Sequence, residues 1–252
     1  MKQGKLIGAS LGPGDPQLIT RKAWDALHGD TVWTWPVRKK GGDSYALAIV
    51  HAAGLLTPDT GQPLIFPMTH DAEKLAKYWL AAAQTVLALL DSGRDVVFLV
   101  EGDASTYSTF GHLARTLRGL SDSVCIETIA GVPAYNAATA RLNQPLADVD
   151  DTVAIIPAAY GVDFVERLLM DFDTLVLIKV KPLLDDLIDL LERKNLLAHT
   201  RFIEKAGSIH ERVVEDVMTL RGEKVNYLSL LLVRNPARIR GETQRGCKKK
   251  TL

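Results

Sequence analysis

Asp95-Val96-Val97-Phe98-Leu99-Val100 is the stretch on which the fold turns. Five apolar residues in succession, three of them valine, leave no polar face for water. That is the pattern of a strand buried on both sides in the middle of a parallel sheet. Just upstream, Asp71–Asp91 carries Leu75, Trp79, Ala82, Ala83, Val86 and Leu90 at helical spacing, with Gly93 placed to end the helix. Just downstream comes a loop of small and polar residues, Glu101–Thr109. A helix, a buried strand and a glycine-bearing loop in that order form a unit of an α/β sheet.

The same alternation extends in both directions. Lys5–Leu11 reads as the first strand. A helix from Pro16 to Leu27 follows, with Asp15 as its cap, Pro16 in its first turn, Gly29 past its end, and Leu18, Ile19, Ala23, Ala26 and Leu27 on one face. Thr31–Trp35 and Pro63–Phe66 read as the second and third strands. Cys125–Ile129 reads as the fifth, followed by a short helix over Ala134–Leu142. A polar stretch, Gln144–Asp151, opens a second half. Strands are expected there at Thr152–Ile156, Thr174–Val180, Thr200–Glu204, Val213–Asp216 and Tyr227–Val233. A helix opens at Pro182 and is packed by Leu183, Leu184, Leu187, Ile188 and Leu191, with Asn195 as a candidate cap. Ile209–Asp216 followed by Tyr227–Val233 suggests a hairpin, which makes the second sheet mixed. The expected division is an N-terminal α/β domain over residues 1–143, a C-terminal α/β domain over 144–237, and a basic, disordered tail over 238–252.

Composition bounds the function. The 252 residues are 47% apolar, enough to bury a real core, and Lys+Arg balances Asp+Glu at 30 each. A balanced chain gives no reason to expect a polyanionic partner, so nucleic acid is not called for. The tail is the exception, with Arg240, Arg245 and Lys248-Lys249-Lys250. A solvated end accounts for it, with a nucleic-acid or membrane contact as the sharper alternative. Two cysteines, Cys125 and Cys247, do not make a disulfide framework, which leaves a reducing cytosol as the default compartment. No signal peptide is visible before Leu6, and no apolar run is long enough to span a membrane.

Three loops could carry chemistry. Gly8-Ala9-Ser10-Leu11-Gly12-Pro13-Gly14-Asp15-Pro16 joins the first strand to the first helix. Its glycines let backbone approach a ligand, yet their spacing is not the dinucleotide fingerprint, and no Gly-Lys-Ser/Thr follows to make a phosphate loop. A tight turn with a good cap is the plainer reading of this stretch alone. Glu101–Thr109 follows the central strand, and Ala130-Gly131-Val132-Pro133-Ala134-Tyr135 follows the fifth. Ligands in open α/β sheets bind beyond the carboxyl ends of strands, so the three loops should converge on one edge of the first sheet.

Together these segments resemble the tetrapyrrole methylases over about Lys5 to Pro236. The most specific part is G-x-G-P-G-D-P-x-L-x-T-x-K-A, present as Ser10–Ala23 with Ser10 in place of the first glycine. The family's G-D-P appears as Gly102-Asp103-Ala104, without the proline, and its P-G-V/I appears with Ala130 in place of proline. Finer likeness to a precorrin-2 methylating branch lies in Tyr107-Ser108-Thr109-Phe110, in Ala137–Leu142 with Gln144-Pro145-Leu146, and in Phe202–Ala206 leading into Glu211–Val214.

The resemblance implies two α/β domains with an active-site cleft between them. It also implies S-adenosylmethionine as cofactor, and methylation of carbon 20 of precorrin-2 in cobalamin synthesis by a cytoplasmic homodimer. Cobalt-factor II, another corrin position and uroporphyrinogen III are alternative acceptors; a protein acceptor, as in the diphthamide methyltransferase, is more distant. Cofactor contacts carried over from the family fall on Pro13, Gly102, Asp103, Thr106, Pro133 and Ala134, with main-chain contacts at Lys179 and Ala206.

Transfer from a sulfonium needs positioning rather than a metal or a covalent nucleophile. His28, His51, His70, His112, His199 and His210 form no ligand pair of the HxxxH type, so no metal is expected. The acceptor carbon must lose a proton. Asp103 and Tyr107 lie near the proposed rim as candidates, though either could instead fix loop geometry. Arg38 and Lys39, with Lys40, could meet the substrate's carboxylates, or could form a solvated charge run. A non-enzymatic nucleotide-binding module is the rival class, and Pro13 and Pro16 weigh against it by removing two donors from the first loop.

Overall fold

A computed structural model describes residues 2–241. Arg245, Cys247 and Lys248–Lys250 of the basic tail therefore lie outside the described residues. The chain divides into two compact units. One comprises the described residues up to Asn143 together with Lys205–Glu211; the other comprises Gln144–Glu204 and the described residues from Arg212 onward.

In the first unit, β1 (Lys5–Ser10), β2 (Thr31–Val37), β3 (Gln62–Ile65), β4 (Asp95–Val100) and β5 (Cys125–Ile129) form one sheet in the order β3-β2-β4-β1-β5. Every pair in it is parallel. The Asp95–Val100 run is the middle strand, with Val96, Val97, Phe98 and Leu99 fully buried. The two-residue period of a strand then divides the core. Leu6, Val96, Phe98 and Val100 pack on one face with α3 (Ala72–Asp91) and α4 (Phe110–Leu120). Ile7, Ala9, Val97 and Leu99 pack on the other with α1 (Arg21–Leu27) and α2 (Tyr45–Ala52). Asp71 caps α3 by accepting from the Lys74 amide at 3.0 Å. The last helix of this unit is α5 (Ala134–Arg141).

The expected helix over Pro16–Leu27 is interrupted. Asp15 caps only a 3-10 turn, Pro16–Leu18, by accepting from the Gln17 amide at 2.8 Å. Ile19 turns extended, and Thr20 then caps α1 through the Ala23 amide. Two residues able to cap lie five apart, and the hydroxyl competes successfully for the later amide. Three helices escaped the sequence reading: α2, α4, and in the second unit α6 (Val162–Leu168). Of these, α4 had a clear signal, since Phe110, Leu113, Ala114 and Leu117 stand at helical spacing and are all buried.

The second unit holds β6 (Val153–Pro157), β7 (Thr174–Ile178), β8 (Thr200–Glu204), β9 (Arg212–Val214) and β10 (Ser229–Arg234), in the order β6-β7-β10-β8-β9. Helix α7 (Leu184–Arg193) buries Leu184, Leu187, Ile188, Leu190 and Leu191. The sheet is mixed as expected, with β6 parallel to β7 and the other pairs antiparallel. The expected hairpin between Ile209–Asp216 and Tyr227–Val233 does not form. β9 pairs with β8, and β10 inserts between β7 and β8. The reason is burial: Ser229–Val233 is buried throughout and needs neighbours on both edges, whereas β9 is short and partly exposed, as suits an edge strand.

Candidate active site

The carboxyl ends of β1, β4 and β5 lie side by side in the sheet, so the loops that leave them meet. Leu11 donates its amide to the Val100 carbonyl at 2.9 Å. Gly12 and Gly102 then exchange both backbone hydrogen bonds, at 3.2 and 2.7 Å. Each of these glycines has φ near +70°, a region that side chains disfavour, and the paired turn needs it at both (φ +73° and +69°). The third loop is joined through Asp103, whose Oδ2 accepts from the Gly131 amide at 2.7 Å. Gly131 has no room for a side chain: a Cβ there would lie 2.3 Å from that of Ser10 and 2.7 Å from the Gly102 carbonyl oxygen.

Asp103 is buried. Its Oδ1 accepts from the Ser105 amide at 2.9 Å, from the Ser105 hydroxyl, and from the Thr106 hydroxyl at 3.2 Å. Burial alone would raise its carboxyl, but the donated hydrogen bonds outweigh burial and hold it below the ordinary aspartate value. Thr106 also donates its amide to the Asp103 carbonyl at 3.1 Å. Tyr107 is exposed and has a positive φ of 51°.

A fourth segment joins the rim from far along the chain. Lys205–Glu211 packs with the first unit, and Gly207 (φ +76°) faces Pro13 closely enough that a Cβ would come within 3.3 Å of its ring. Ala206 is buried beside it. Glu211 ties the segment down, accepting from the Gly207 amide and from Arg141 Nε, each at 2.7 Å. Tyr45 Oη donates to the Pro13 carbonyl at 3.1 Å. Burial raises the Tyr45 phenol, a hydrogen bond with Ser208 lowers it, and the charge of Glu101 raises it; the net direction is up.

Glu101 was read only as part of its loop. It is the first residue after the central strand and is open to solvent, yet the protein mass around its carboxyl raises it above the ordinary glutamate value, against the opposing charge of Arg38. Arg38 is itself exposed and leaves β2 near this rim. Lys39 accepts from the Gly42 amide through its backbone carbonyl, closing a surface turn. Pro133 stands before α5 as its cap residue and Ala134 is the first helical residue. Lys179, at the end of β7 in the second unit, is half-buried with a φ of +57°.

The first unit is thus a parallel sheet whose three strand-end loops are locked at one rim, and the second is built on a mixed sheet. The chain belongs to the tetrapyrrole (corrin/porphyrin) methylases, whose family model matches residues 5–220. It is 31% identical to the probable cobalt-precorrin-2 C(20)-methyltransferase of Methanocaldococcus jannaschii, over 91% of this chain and 96% of that one. It is 30% identical to the precorrin-2 C(20)-methyltransferase of a Sinorhizobium species, over 91% and 95% respectively. Its fold matches the solved structure of uroporphyrin-III C-methyltransferase from Thermus thermophilus complexed with S-adenosyl homocysteine. That match has a TM-score of 0.61 at 22% identity, over 92% of this chain and 97% of that one.

Proposed function

We propose that this chain transfers a methyl group from S-adenosylmethionine to carbon 20 of precorrin-2, or of its cobalt-bound form, in cobalamin synthesis. Relatives named for each substrate, metal-free and cobalt-bound, align over nearly their whole length at about the same identity. The observation that carries the reading is the locked rim: Gly12 paired to Gly102, and Gly131 held by Asp103. The rim suits the cofactor. A side chain at Gly102 would project into open space, so a ligand can lie directly against that backbone. No side chain caps the start of α5, and the Asn136 and Ala137 amides turn back to the Pro133 carbonyl, which leaves the Ala134 and Tyr135 amides to ligand oxygens.

In this reading Pro13, Gly102, Asp103, Thr106, Pro133 and Ala134 hold the cofactor, and Ala206 adds a main-chain contact. The sulfonium supplies an already activated methyl group. The protein's own task is to orient it and to take the proton that the methylated carbon must lose. Asp103 spends its acceptor capacity on the loops and acts by position. Glu101 takes the proton, because its raised carboxyl is a better base and solvent can carry the proton away. Tyr107 borders the acceptor, and Arg38 and Lys39 face its carboxylates. The proposal includes a cytoplasmic location and a homodimer; sedimentation of the purified protein checks the homodimer, and fractionation of cells checks the location.

The test is transfer of an isotopically labelled methyl group to precorrin-2, to its cobalt form and to uroporphyrinogen III, with the labelled carbon mapped by NMR. Label at carbon 20 of a precorrin-2 form is the expected outcome. Label only on uroporphyrinogen III, or on no tetrapyrrole, overturns the substrate assignment.

A further inference from the structure

Ser10, at the end of β1, and Ala104, in the loop after β4, meet in space. Both are buried, with Ser10 fully inaccessible. The Ala104 amide donates to Ser10 Oγ at 2.8 Å, and Ser10 Oγ donates onward to the Ile129 carbonyl. One hydroxyl thus links the ends of β1 and β5 to the loop after β4, directly beneath the point where Gly131 packs on Ser10.

The chemistry of the pair is reciprocal. Proline has no N–H, so a chain with proline at 104 needs no acceptor there, and glycine at 10 offers none. Alanine at 104 brings a buried N–H that must be satisfied, and serine at 10 satisfies it. The two mixed combinations fail in different ways. Glycine with alanine leaves a buried amide without a partner, and serine with proline sets a ring carbon where the hydroxyl oxygen now sits.

We propose that Ser10 is a positioning residue for the rim, and that Ser10 and Ala104 act as one coupled acceptor–donor pair, so that glycine at 10 is tolerated only with proline at 104. The claim that this geometry serves a methyl donor rests on the proposed function; the coupling itself does not. The experiment is a cycle of four proteins: the native chain, Ser10→Gly, Ala104→Pro and the double variant. Each is measured for S-adenosylhomocysteine affinity by calorimetry and for melting temperature without ligand. Each single variant should bind about tenfold more weakly, and the double variant should recover to within about threefold of the native chain.

Additive losses in the double variant overturn the coupling. Native affinity in Ser10→Gly, with only its melting temperature lowered, overturns the positioning role. If the native chain binds no S-adenosylhomocysteine, the functional reading and the positioning role fail together. The melting temperatures then decide the coupling: recovery in the double variant supports it, and additive loss refutes it.

Discussion

Two buried aspartates, one in each unit, solve the same physical problem with opposite means. Asp103 is satisfied by neutral donors alone: two amides, from Ser105 and Gly131, and two hydroxyls, from Ser105 and Thr106. Asp173 accepts from the Thr152 amide at 2.8 Å and hydroxyl at 2.9 Å, and also from two guanidinium groups, Arg238 at 2.5 Å and Arg240 at 2.8 Å. At both, burial pushes the carboxyl up and the hydrogen bonds outweigh it. At Asp173 the Thr152 donors come first, the arginines add to them, and the carboxyl falls to about 2. Neutral donors fix loop geometry without importing a cation at the rim that, in the proposed function, holds a sulfonium. Arginines fix the chain's last described segment, where no such restriction applies. The tail's first cations, read from sequence as solvated charge, are thus part of the second unit's frame.

The comparison breaks most readily at Asp173. Asparagine there removes the charge that two guanidiniums share, one of them largely buried. The expected loss is about 3 kcal/mol of stability. All four tryptophans, 24, 33, 35 and 79, lie in the first unit, so their fluorescence reports that unit while circular dichroism reports both. Asp173→Asn should lower the urea midpoint seen by dichroism and leave the tryptophan midpoint in place. An equal shift in both would show that the clamp is not local. Acid tests the same clamp without a mutation, and it also weakens the first unit, where Asp103 is depressed as well. A carboxyl depressed on folding contributes stability above its ordinary value of about 4, and that stability is lost as pH falls toward about 2. In acid, the dichroism midpoint should fall through that window.

Next in size is Glu101→Gln, which removes the proposed proton acceptor. Turnover should fall about 100-fold while S-adenosylhomocysteine affinity stays within about twofold. A matching loss of affinity would make Glu101 a binding group instead. Asp103→Asn should behave in reverse, with affinity about tenfold weaker through the loosened Gly131 amide and a smaller change in turnover at saturation. If asparagine lowers turnover and spares affinity, then Asp103 belongs to the chemistry and the contrast with Asp173 is no longer one of neutral against charged scaffolding.

What the sequence made legible follows from where the information is local. Val96–Val100 announced a doubly buried strand because five neighbours in the chain share one environment. The three loops were found because each follows a strand end. Parallel order then places the ends of β1, β4 and β5 on one edge. The Thr20 cap was hidden by a better-looking one at Asp15. The position of β10 was hidden because sheet order is a non-local choice: adjacency in sequence suggested pairing with β9, and the burial that decides otherwise comes from α7 and β7. Lys205–Glu211 joins the first unit through Gly207 against Pro13, a contact almost two hundred residues apart that no local pattern encodes. Glu101 was missed for a related reason, since its raised carboxyl depends on how the fold places it at the rim near Arg38.

The smallest effect tests the electrostatics of that last group. Arg38 opposes the burial that raises the Glu101 carboxyl. Removing its charge in Arg38→Gln therefore lets the carboxyl rise further, and an acceptor must be ionised to act. The acid limb of the turnover profile should move to higher pH, leaving the plateau above it unchanged. Arg38 is exposed, so the shift should shrink as salt is raised. An acid limb left in place would show that Arg38 serves the substrate's carboxylates alone and does not set the charge of Glu101.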